Sequence, residues 1–200
     1  MRVCFVGGVY NGCDCSAGDY CGNDVMKYNP DIHHRHSIRL KDFDYSSEGA
    51  YFVTICTENR ECTLASVRRG DPRGRPKMEL TELGRICNNM FFGIAAMYNI
   101  IISKYVIMPN HIHFILVISD ETTSRATARV APTVGEIVGG YKSIVTNLWL
   151  KKCKENDISM GEIWQQNYYE HIIRDKQDYM IKWNYIENNP MNWDKDEYNS

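Results

Sequence analysis

Two pairs of residues have the types and spacing to do chemistry. His111 and His113 stand one residue apart in "NHIHF" (110–114), and Tyr185 and Asn189 stand four apart in "YIENN" (185–189). Two imidazoles on neighbouring same-face positions of a strand can share one cation, but they do not fill its coordination shell. An asparagine amide offers a hard oxygen suited to Mg2+ or Mn2+. A phenol can serve as a nucleophile once it is activated. Two imidazoles, an amide oxygen and a phenol form a set suited to phosphodiester cleavage. Each pair also has a plain structural reading: half-buried histidines bonded to carbonyls, a tyrosine packed in the core, an asparagine ending a helix. Tyr168 and Tyr169 offer phenols of the same chemistry.

The elements that must position these groups follow from periodicity. "YFVTICT" (51–57) is rich in β-branched and aromatic residues and reads as a strand. Leu83, Ile86, Cys87, Met90, Ile94 and Met97 recur at three- and four-residue steps, which predicts an amphipathic helix. "SKYVIMPNHIHFILVIS" (103–119) reads as two extended pieces broken at Pro109–Asn110. In the second piece His111, His113, Ile115 and Val117 share one face, and Ile112, Phe114, Leu116 and Ile118 share the other. Both faces are apolar beyond the histidines, so this strand is expected to be central and covered on both sides.

Thr133 and Glu136 form a capping-box pattern opening a helix whose stripe is Val134, Ile137, Val138, Tyr141, Val145 and Leu148. "IWQQNYYEHIIR" (163–174) has no decisive period. A last helix is expected over about 175–189, ending before Pro190 and carrying Tyr185 and Asn189 on one face. This order predicts an α+β sandwich with a mainly antiparallel central sheet and helices packed on it.

The 200 residues carry a formal net charge of −2, which does not mark a nucleic-acid binder. The distribution says more: residues 60–77 hold six basic side chains against two acids, and residues 125–154 hold six against one. Arg68, Arg69, Arg73, Arg75, Lys142, Lys151 and Lys152 are candidate phosphate contacts, with solvated surface charge as the alternative. Trp149 and Trp183 sit at helical spacing and are expected in the core. No run of about 18 apolar residues is present, and "MRVCFVGGVYNG" lacks a signal-peptide core, so a cytoplasmic protein with mostly free thiols is expected. Residues 1–35 are expected to form a disordered extension preceding a domain over 36–200, with Met26 as the expected true start.

Four stretches carry a family resemblance: "GAYFVTICTENRE", "YVIMPNHIHFILVI", "IWQQNYYEHIIRD" and "YIENNPMNW". Spread from about residue 36 to 193, they resemble the single-tyrosine HUH transposases, most closely the REP-associated tyrosine transposases. The resemblance implies a ferredoxin-like (RRM-like) fold whose antiparallel sheet carries the histidine pair beside a helix presenting the nucleophile. It implies His111 and His113 as catalytic metal ligands, Asn189 as third ligand to Mg2+ or Mn2+, and Tyr185 as nucleophile. Arg174 falls in a stretch for which a structural or DNA-contacting role is expected.

The implied substrate is single-stranded DNA, often beside a hairpin, and the implied product is a 5′-phosphotyrosine with a free 3′-OH that can rejoin a new strand. Neither ATP nor a Walker motif is required, and no general base is evident. Monomer and homodimer both remain open. The competing readings are a domesticated repeat-processing nuclease, a hydrolytic metal-dependent nuclease, and a noncatalytic nucleic-acid-binding protein on the same scaffold.

Overall fold

In the computed structural model, residues 48–68, 76–119 and 132–199 are described, all within the compact unit Arg39–Ser200. The expected N-terminal extension and Met26 start lie outside the described residues, as do Arg69, Arg73 and Arg75.

The run at 51–57 forms β1 (Gly49–Cys56). A single 3-10 turn, Glu58–Arg60, leads into a two-stranded antiparallel ribbon of β2 (Ala65–Arg68) and β3 (Lys77–Leu80). There follow α1 (Glu82–Tyr98), β4 (Ile101–Ile107), β5 (His111–Ile118), α2 (Val134–Glu155), β6 (Tyr169–Ile173) and α3 (Lys176–Asn188). The main sheet has the order β4–β5–β1–β6, and every neighbouring pair is antiparallel. Apart from the ribbon, the chain order is β-α-β-β-α-β, the ferredoxin-like arrangement that the family resemblance implies.

Strand alternation sorts the residues into two apolar clusters. Tyr51, Val53 and Ile55 of β1 and Ile112, Phe114, Leu116 and Ile118 of β5 face the larger core, covered by α1 and α2. Phe52 and Ile115 face the other side, where Ile186 of α3 and Ile173 complete a smaller core. β5 is therefore central and covered on both faces, as its apolar pattern required.

The capping box at Thr133 and Glu136 is formed, with Glu136 N–H donating to Thr133 Oγ1 at 3.2 Å and Thr133 N–H to Glu136 Oε2 at 2.8 Å. The α1 stripe turns slightly from the expected one. Phe91 is buried, stacked between Tyr105 and Tyr141 at centroid distances of 4.4 and 5.0 Å, while Met97 stays 61% exposed. Leu148 of α2, expected on the buried stripe, is also exposed.

Pro190 ends the α-helix but not the helical path. The chain continues as a 3-10 helix, Asn189–Lys195, with Pro190 in its first turn, where a missing N–H breaks no bond. No helix among the described residues is long and apolar enough to cross a membrane.

Candidate active site

The site is built from β1, β5 and the segment from α3 onward, on the α3 face of the sheet. β1 and β5 pair so that Thr54 lies opposite His113 and Cys56 opposite His111. The histidines are not half-buried: His111 is 0% and His113 1% exposed. A neighbour holds each ring by Nδ1. Asn110 Oδ1 lies 2.8 Å from His111 Nδ1, and Thr54 Oγ1 lies 2.8 Å from His113 Nδ1.

The Asn110 amide cannot be turned round, because its Nδ2 donates to the carbonyls of Arg60 (3.1 Å) and Tyr198 (2.6 Å). Its Oδ1 must then accept from His111, so the His111 proton sits on Nδ1 and Nε2 presents a bare lone pair. Burial holds the proton affinity of both rings down. His111 falls to about 4, with the Asp196 carboxylate partly opposing, and His113 is held well below the ordinary 6.5 by its own burial, by His111 and by Lys182. Both rings are therefore neutral at pH 7, the form that can ligate a metal.

α3 delivers the other half. Its N-cap Asp175 accepts from the Asp178 N–H at 2.8 Å, and the Asp178 carboxylate meets His171 of β6 at 2.8 Å. Lys104 of β4 pairs with Glu187 and lies 4.9 Å from the Trp183 ring. Docked this way, α3 brings the Tyr185 ring to 5.1 Å from His113 and 5.9 Å from Phe52, while Phe52 stacks on His113 at 5.2 Å. Asn189, 2% exposed, donates from Nδ2 to Asp196 Oδ2 at 2.8 Å, and its amide interacts with both His111 and Tyr185.

Three buried polar atoms at this place have no hydrogen-bond partner: Nε2 of His111, Nε2 of His113 and Oδ1 of Asn189. An orphaned buried acceptor is costly, and a cation would satisfy three of them together. The residues present therefore fit a divalent ion.

Burial and the charges of Asp196 and Glu197 push the Tyr185 phenol well above its ordinary value, so it is protonated at neutral pH. A cleft of ≈ 550 Å³ opens beside Tyr185 and Asn189 and runs past Asn184, Asn188 and Asn192.

Sequence reasoning missed three residues here. Asp196 offers a carboxylate oxygen which, with one nitrogen from each histidine, forms a set lying within 4.8 Å of one another. The Tyr198 ring lies 4.6 Å from His111 and 5.7 Å from His113. Lys182 places its Nζ 5.0 Å from the Phe52 ring. Only Lys182 had a usable signal, since it sits one turn before Tyr185 on the same helix.

Among the described residues, the basic candidates do not gather at this site. Arg68 pairs with Glu79 across the ribbon and Lys152 with Glu82 at 3.1 Å. Lys151 and Arg174 are exposed. Lys151 and Lys152 belong to α2, on the sheet face opposite the histidines. Lys142 is half-buried, and burial lowers it to about 8. Its Nζ donates to the carbonyls of Gln165 (2.9 Å), Asn167 (3.0 Å) and Gln166 (3.5 Å), latching the segment before β6. Lys142→Ala should lower unfolding stability by about 1–3 kcal/mol in denaturant titrations and leave the salt dependence of DNA binding unchanged.

The neutral histidines make a second test. In metal-free protein the unfolded His111 takes a proton near 6.5, but the folded one does not until about 4. The unfolded state then binds more protons across that interval, so stability falls as the pH drops through it. His111 alone should contribute on the order of 3 kcal/mol. Urea titrations in EDTA should show a shallower decline for His111→Gln than for wild type. Equal slopes would contradict the assignment.

An antiparallel βαββαβ sheet carrying a buried histidine pair, beside a helix carrying a tyrosine, defines a small α+β protein with a candidate cation-assisted nucleophilic centre. The profile of the family described as "Transposase IS200 like" matches residues 72–189. An uncharacterized protein of Haemophilus influenzae is 37% identical over 186 residues, covering 86% of this chain and 97% of that one. The chain belongs to the IS200-like transposase family. The solved structure of a REP-associated tyrosine transposase bound to a REP hairpin shares the fold, with a TM-score of 0.50 at 19% identity, covering 78% of this chain and 74% of that one.

Proposed function

We propose that the protein is a tyrosine transposase that cleaves and rejoins single-stranded DNA, at repeat hairpins, through a 5′-phosphotyrosine intermediate and with a divalent metal. The observation that carries this reading is the set of three buried, orphaned acceptors of His111, His113 and Asn189, with the Tyr185 ring 5.1 Å from that of His113. Family membership supports a DNA substrate, and the hairpin carried by the structural relative supports the hairpin context.

The two Nε2 atoms and Asn189 Oδ1 would hold Mg2+ or Mn2+, which supplies Lewis-acid stabilisation of charge on the scissile phosphate. Asn110 and Thr54 hold the two rings by Nδ1, which would leave both Nε2 atoms available to the ion. Tyr185 Oη attacks phosphorus in line. The Tyr185 O–P bond forms as the P–O3′ bond breaks, and the phenol proton leaves to solvent or to the departing 3′ oxygen. The phosphotyrosine keeps the phosphodiester's energy, so a 3′-OH can reverse the step onto the same or another strand. The cleft lined by Asn184, Asn188 and Asn192 gives the flanking nucleotide amide groups to meet.

The test is incubation with labelled single-stranded oligonucleotides from the repeats beside the gene, with Mg2+ or Mn2+, followed by a denaturing gel. The expected result is a metal-dependent, protease-sensitive retarded band. Cleavage with no adduct would replace this reading with a hydrolytic nuclease. Tight binding without cleavage would replace it with a binding protein.

A further inference from the structure

We infer that Asp196 is a fourth protein ligand of the cation centre and that the same carboxylate sets the Asn189 amide. This rests on the reading above, in which His111, His113 and Asn189 hold a divalent ion. One Asp196 carboxylate oxygen, one His111 nitrogen and one His113 nitrogen already lie within 4.8 Å of one another. Asp196 lies beyond the family match at 72–189, so nothing in that match assigns it a role.

The local fold explains how it gets there. The chain does not leave the site after Pro190. The 3-10 helix Asn189–Lys195 turns it back, and buried Trp193, its ring 6.0 Å from His111, anchors the turn. Asp196 follows directly. Its Oδ2 accepts from Asn189 Nδ2 at 2.8 Å, and its Oδ1 accepts from the Tyr198 N–H at 2.8 Å. The first bond fixes which way the Asn189 amide points, leaving Oδ1 free and unpartnered at the histidines. Each carboxylate oxygen keeps lone-pair capacity beyond its one hydrogen bond.

Charge argues the same way. Two neutral imidazoles and a neutral amide bring no negative charge to a buried dication. A carboxylate supplies it, and hard oxygen donors suit Mg2+ and Mn2+.

The experiment measures Mn2+ binding to the DNA-free protein by calorimetry, comparing wild type with Asp196→Asn and His113→Ala. Asp196→Asn keeps the size and one acceptor oxygen, which can serve Asn189 only by giving up the Tyr198 N–H, and loses the charge. Expected is a loss of affinity of at least about tenfold in Asp196→Asn. Wild-type affinity in Asp196→Asn, with loss in His113→Ala, overturns the inference and leaves the cation reading standing. Absence of Mn2+ binding in wild type removes both. A measurement on the wild type needs no variant to fold. Electron-nuclear double resonance of bound Mn2+, with carboxylate-13C aspartate, should show a directly coordinated carboxylate, and its absence overturns the inference.

Discussion

Tyr185→Phe is expected to abolish the covalent protein–DNA adduct and cut single-strand cleavage by ~10³-fold or more. The substitution removes one oxygen and keeps the ring that meets His113 and Phe52. Tyr185 is 39% exposed, so its replacement should leave stability within about 0.5 kcal/mol of wild type. Hairpin binding should persist, since Tyr185 lies outside the basic side chains that would meet phosphates. The measurement is the denaturing-gel adduct assay run beside a binding titration. An adduct that survives in Tyr185→Phe moves the nucleophile elsewhere. Tyr198 then comes first, its ring 4.6 Å from His111, ahead of Tyr168 and Tyr169 on the far side of β1.

The second large effect is expected at the imidazoles. His113→Ala should lower Mn2+ affinity by ~100-fold or more and cleavage by a similar or larger factor, leaving DNA binding intact. His113 is held between the Phe52 ring and the Thr54 hydroxyl, and its Nε2 has no protein partner. Removing it loses a packed ring and also an orphaned acceptor, so the stability change should be smaller than for an apolar core residue of that size. Metal titration and single-turnover cleavage would check this. Metal-dependent cleavage persisting in His113→Ala would rule out the histidine pair as the cation site.

Of the candidate site, His111, His113, Tyr185 and Asn189 were legible because their geometry is local. H-x-H on a strand fixes two side chains on one face whatever surrounds the strand, and Tyr-x-x-x-Asn on a helix does the same one turn apart. The central position of β5 was legible for a similar reason, since both of its faces are apolar.

The parts that were not legible depend on long-range pairing. β6 is an edge strand with one partner, β1, and its half-buried YEHII carries no clear alternation. The β2–β3 ribbon was hidden under the charge of the loop it flanks. Lys142 looked like a phosphate contact because sequence cannot show three carbonyls converging on its ammonium. Asp196 and Tyr198 are unremarkable in a polar stretch. Only the 3-10 turn after Pro190 gives them a place at the histidines.

The two halves of the site differ in how firmly they are held. β5 is hydrogen-bonded on both edges, to β4 and to β1, and its histidines sit on the backbone of that ladder. α3 buries one side chain fully, Ile186, and is otherwise docked by partly buried Tyr179 and Trp183, the Lys104–Glu187 ion pair and the His171–Asp178 hydrogen bond. In hydrogen exchange, the amides of β5 are expected to open only with global unfolding, and those of α3 and its 3-10 continuation through smaller, local events. The imidazoles are sealed from solvent, so on the proposed reading a scissile phosphate would reach them only when the helical side opens. The frequency of that opening would then set access, while the pleat keeps the spacing of the two imidazoles fixed.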